Sequence, residues 1–133
     1  MRAMRWILAG CAALALAGCE TAPIKEVRQG ISSLFQGNAG EQDLAAGVKQ
    51  YEEGNYGEAT RLLNASLEKG LSRTDQVRAH KVLAFIHCVA GRESRCRDEF
   101  RTTLKLDPSF ELAANEAGHP IWGPVFRSVK SRR

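Results

Sequence analysis

The stretch AGVKQYEEGNYGEATRLLNASL, residues 46–67, decides how this 133-residue chain folds. Its apolar residues do not alternate as a half-buried strand requires. Ala59, Leu62, Leu63, Ser66 and Leu67 instead fall on one side at steps of three and four, the period of a helix. Gly54 interrupts the pattern and reads as a turn, because glycine adopts backbone conformations that a Cβ penalises. The segment therefore predicts two helices, over 43–53 and 55–69, with Gly54 and Gly70 at their ends. Small residues at Gly47 and Ala59 let the pair approach closely, while Tyr56 and Leu63 fill the space between successive turns.

The same rhythm continues towards the C-terminus. A third helix is predicted over 73–90, with Ser72 as its cap and Val77, Val82, Phe85, Ile86 and Val89 on its apolar side. A fourth covers 93–106 and is stopped by Pro108, which cannot continue a helix. No segment between 42 and 108 shows sustained strand alternation, so the fold class is all-α. Gly91 turns the third helix into the fourth and brings Cys88 and Cys96 to facing positions across an antiparallel pair. The two cysteines are candidates for a disulfide; two small thiols filling a close-packed seam are the alternative. In the tail, FELAANEAGHPIWGPVFRSVKSRR, Trp122, Val125, Phe126 and Val129 recur at helical spacing after His119-Pro120. They predict a final helix that covers the open side of the fourth, with a partner-facing role for Trp122 as the alternative. The basic residues Arg127, Lys130, Arg132 and Arg133 suit a helix C-terminus.

These four helices resemble two tetratricopeptide (TPR) repeats over residues 41–108. The first is the closer match, with Gly47, Gly54, Tyr56 and Ala59 at the motif's small, turn and entry positions. The second keeps Ala84, Gly91, Phe100 and Asp107-Pro108 but has Glu93 where Tyr is usual and Cys96 where Ala is usual, so it is degenerate. The two turn glycines lie 37 residues apart against a usual repeat of about 34, and the loop KGLSRTD absorbs the difference. The resemblance implies a groove lined from the first helix of each repeat, which makes Val48, Tyr51, Glu52, Lys81 and Phe85 candidate partner-binding residues. Two repeats cannot bury their own apolar faces, which is why the segment 109–133 is expected to cap them.

The N-terminus says where such a domain belongs. Arg2 and Arg5 precede an uncharged run, WILAGCAALALAG at residues 6–18, which has the length of a secretory signal and is too short to span a bilayer permanently. Leu16, Ala17, Gly18 and Cys19 look like a bacterial lipobox, so residues 1–18 are expected to be removed and Cys19 to carry diacylglyceryl and N-acyl lipid. An ordinary signal with an incidental cysteine is the rival reading. Cutting before Cys11 would leave too little apolar chain, so Cys11 is discarded with the leader. Several acyl chains, at about 0.8 kcal/mol per buried methylene, hold a domain on a membrane nearly permanently. Glu20 behind the lipobox leans towards the outer membrane. Residues 19–40 form a tether in which Ile24, Val27, Ile31, Leu34 and Phe35 keep helical spacing around Gly30, either to pack on the domain or to meet a partner or membrane.

Removal of the leader leaves 115 residues, enough for one domain, and lowers the formal charge from +4 to +2, which implies no nucleic-acid partner. No catalytic, cofactor or metal site is expected. His80 and His87 are seven residues apart, whereas three or four would set two ligands side by side on a helix; His119 lies far from both. Cys88 beside His87 lacks a recognisable third member for nucleophilic catalysis. The neighbours Glu52 and Glu53 are ordinary solvated carboxylates, and no glycine-rich phosphate loop is present. Taken together, the lipobox, the two repeats, HCVAGRESRCRDEFR and EAGHPIWGPVF resemble the TssQ family, small TPR lipoproteins associated with bacterial type VI secretion. The resemblance implies an accessory or assembly lipoprotein that faces the periplasm and contacts other proteins of the cell envelope, with no small-molecule substrate. A pilotin-like or chaperone lipoprotein escorting an outer-membrane component is the alternative.

Overall fold

A computed structural model of the chain describes residues 37–132. The expected signal peptide, the lipid attachment at Cys19 and the amphipathic segment at 24–35 lie outside the described residues. Among the described residues there are six helices and no strand: α1 (Ala39–Glu52), α2 (Tyr56–Lys69), α3 (Arg73–Val89), α4 (Glu93–Leu106), α5 (Ala114–Ala117) and α6 (Trp122–Ser131). The first two pair as one hairpin and the next two as another, and α3 is the central helix, touching α1 and α2 on one side and α4 and α6 on the other.

Local chemistry sets the boundaries. Helix α1 begins four residues ahead of the expected start because Asn38 caps it: its Oδ1 accepts the Glu41 amide at 3.0 Å while its Nδ2 donates to the Glu41 carboxylate at 3.3 Å. An amide at the N-cap satisfies a backbone donor that the first turn leaves without a partner. The turn between α1 and α2 depends on Gly54 and that between α3 and α4 on Gly91, with φ of 81° and 72°. Ser72 caps α3, accepting the Asp75 amide at 3.2 Å. Helix α6 begins at Trp122, which puts Pro124 in its first turn, where a missing N–H removes no intrahelical bond. The Gly123-Pro124 pair therefore starts a helix.

Two apolar cores share the middle helix. One joins Leu44, Ala59 and Leu63 to Ala79, Val82, Leu83 and Ile86; the other joins Ala84, Phe85, Cys88, Cys96, Phe100 and Leu104 to Leu112, Trp122, Phe126 and Val129. Every residue from Val82 to Cys88 is buried, as a helix flanked on both sides must be. The first hairpin is close-packed at two glycines of α1: Gly40, where an added Cβ would collide with the Gly70 carbonyl, and Gly47, where it would stand 2.9 Å from Leu63 Cγ. Cys88 and Cys96 lie at disulfide distance across the second hairpin, with Sγ atoms 2.01 Å and Cα atoms 5.1 Å apart. No helix among the described residues is long and apolar enough to cross a membrane.

Candidate functional site

Where the hairpins meet, α1 and α3 frame a groove of about 160 Å³. Val48, Tyr51 and Glu52 line it from α1; Arg78, Lys81, Val82 and Phe85 line it from α3; Glu116 closes it from α5. Five of the six candidate partner residues thus stand together: Val48, Tyr51, Glu52, Lys81 and Phe85. The spacing explains why. Positions 48, 51 and 52 are three and four apart on α1, and 78, 81, 82 and 85 repeat that pattern on α3, so each set occupies one helix face.

The sixth candidate, Trp122, sits elsewhere. Its side chain is buried, stacked on Phe85 at 4.2 Å between ring centroids and covered on its other side by the His119 ring at 3.3 Å. Its indole N–H donates to the Glu116 carbonyl at 2.9 Å. A ring with both faces occupied and its one donor satisfied is part of the packing, and Trp122 backs the groove from behind Phe85. Aromatic contacts continue through the second core, with Phe85 edge-on to Phe100 at 6.1 Å and Phe100 edge-on to Phe126 at 5.2 Å.

The polar side of the groove is internally balanced. Lys81 Nζ donates to Glu116 Oε1 at 2.6 Å and lies 5.7 Å from the centre of the Phe85 ring. The other oxygen of Glu116 accepts the Ala113 amide at 3.0 Å, so one carboxylate caps α5 and holds the lysine. Tyr51 stands between the Tyr56 and Phe85 rings, at 5.8 and 6.4 Å. Burial pushes its phenol pKa up, and the charges of Tyr56, Glu116 and Glu52 push the same way, so it is a neutral hydroxyl able to donate or accept. The groove therefore offers an aromatic wall, a hydroxyl, two cations and two carboxylates.

Sequence reasoning did not find Arg78, Val82 or Glu116. The first two share the stripe of Lys81 and Phe85 and were within reach of the helical period. Glu116 is brought in by a bend in the tail that no periodicity marks. An acidic partner faces His80: its Nδ1 lies 2.6 Å from Glu99 Oε2, on the next helix and 19 residues away in sequence. His87 Nδ1 accepts from Arg92 Nε at 2.9 Å; burial first, and then the Arg92 charge, push its pKa down. No group of three or more metal-ligating side chains occurs among the described residues.

The fold and groove define a class, small all-α proteins built from stacked helix hairpins with a capping helix. Beyond that class, the chain matches no protein-family model, no curated protein and no solved structure.

Proposed function

We propose that the chain is a lipid-anchored, periplasm-facing adaptor whose two hairpins are degenerate TPR units, serving as an accessory or assembly lipoprotein of a type VI secretion system. The observation that supports this reading best is the convergence of Val48, Tyr51, Glu52, Lys81 and Phe85 on one groove between the first helices of the two hairpins. That is where a TPR unit would hold a partner segment. The hairpin seams support it as well: Gly47 against Leu63, and a fully buried Ala59, bring α1 and α2 to the close approach that the repeat's small residues exist to allow. In this reading Cys19 carries the lipid, the groove carries the protein contact, and the protein is not an enzyme.

The test is photocrosslinking from the chain's own envelope. A crosslinking amino acid at Glu52, exposed on the groove rim, is introduced into the acylated protein, and the adducts are identified. Recovery of a secretion-apparatus component, lost when Lys81 is changed to Glu, is the expected result. Adducts with pilus or outer-membrane assembly proteins alone would replace this reading with an escort role. Release of the wild-type chain from membranes unchanged by Cys19→Ser would remove the anchor from it.

A further inference from the structure

On the far side of the second hairpin, α4 and α6 enclose an open cleft of about 350 Å³. Leu104 and Val129 form its floor, and Arg97, Arg101, Lys105 and Arg132 stand around it. The three cations of α4 follow one another at four-residue steps, which sets them in a row along one face, and Arg132 stands at the end of α6. Their engagement differs. Arg97 pairs with Glu93 and donates to Ser128 Oγ at 3.2 Å, and Arg101 pairs with Asp98 at 2.6 Å. The side chains of Lys105 and Arg132 are exposed and have no such partner among the described residues.

The charge of the whole molecule points the same way. Residues 37–72 carry six carboxylates against three Lys and Arg, whereas residues 90–132, beyond α3, carry six against eight. Because α1 and α2 touch no helix beyond α3, this smaller excess of cations lies on the α4 and α6 side of the stack, away from the carboxylates. We propose that the cleft is a docking face for anionic lipid at a bilayer surface, with phosphate headgroups among Arg101, Lys105 and Arg132 and the adjoining hydrocarbon over Leu104 and Val129. An apolar floor directly beneath a cationic rim matches an amphiphile. A specific acidic peptide suits it less, because Lys105 and Arg132 are not braced by neighbours and present no fixed geometry, whereas mobile headgroups require only charge. Clusters of four or more Lys and Arg read anionic membranes at about 1 kcal/mol per cation. This face acts independently of the anchor at Cys19 and of the partner groove.

The test uses the mature chain, residues 19–133, carrying Cys19→Ser, so that neither the leader nor an acyl group contributes, and measures sedimentation with vesicles of phosphatidylcholine alone or with a third of phosphatidylglycerol. The expected result is a preference for the anionic vesicles that weakens as salt rises. The double variant Lys105→Ser, Arg132→Ser should lose roughly 30-fold of that preference. The control Lys49→Ser, Arg61→Ser removes the same formal charge from the other end and should retain it. Circular dichroism of both variants should match the parent, which separates loss of the face from loss of the fold. Equal binding to both vesicle types, or equal losses in the two double variants, would overturn the proposal. Binding of a poly-glutamate peptide at the face without any preference for anionic vesicles would overturn it in favour of an acidic protein.

Discussion

Phe85 illustrates how much a single side chain decides here. It forms part of the groove wall, stacks on Trp122 and meets Phe100, so groove and core share one ring. Phe85→Ala should cost about 3 to 4 kcal/mol, read as a lower midpoint in urea unfolding, and should disturb partner capture at the same time. Lys81→Met should separate the two effects: the part-exposed pair with Glu116 is worth at most about 1 kcal/mol, so capture should fall while unfolding barely moves. His87 gives stability a pH dependence. Its pKa in the fold lies below the ordinary 6.5, because burial and Arg92 disfavour the cation; Arg95 acts in the same sense and Glu99 against it. The unfolded chain then binds a proton that the folded chain refuses, so this contribution is whole above about pH 7 and is lost as pH falls through 6.5 towards the folded value. Unfolding midpoints measured between pH 7.5 and 5.5 should decline in the parent and decline less in His87→Gln.

At the scale of the element, helix existence was legible and helix edges were legible where glycine or serine marked them. Gly54, Gly70, Ser72, Gly91 and Pro108 put seven of the eight ends of the four main helices within a residue of their observed places, and α4 runs over 93–106 as its period requires. The start of α1 was missed because Asn38 precedes a small-residue run, Ala39-Gly40, that carries no apolar period of its own. The groove was legible for the same reason as the helices, since each set of lining residues is a stripe. Glu116 and the His80–Glu99 contact were not, because each joins segments whose mutual placement depends on tertiary packing. The seam between α3 and α4 also yields a prediction. A disulfide between Cys88 and Cys96 closes a loop of eight residues, which a chain-entropy treatment values at roughly 2 to 3 kcal/mol. Cys88→Ser should lower the unfolding midpoint by that amount under oxidising conditions and make no further difference once dithiothreitol is present. Gly91→Ala should cost about 1 to 2 kcal/mol, because the positive φ penalises a Cβ even though the space around it is open.

For the molecule as a whole, α6 is the piece that makes two hairpins a stable body. It buries Trp122, Phe126 and Val129 against a face that includes Phe100 and Leu104, both nearly inaccessible to water. Ending the chain after Pro120 would expose that surface, and the product should be recovered as aggregate or as a species that binds a hydrophobic dye, in contrast to the full chain. The uneven distribution of charge has a further consequence. With an excess of carboxylates on the α1 and α2 side and of cations on the α4 and α6 side, the described body is an electric dipole. Near a charged surface such a body experiences a torque as well as a force, so it turns before it touches, and the turn fades beyond a screening length of about 10 Å at 0.1 M salt. Orientation would thus be acquired in the last ångströms of approach, and a change in ionic strength alone would alter which side arrives first.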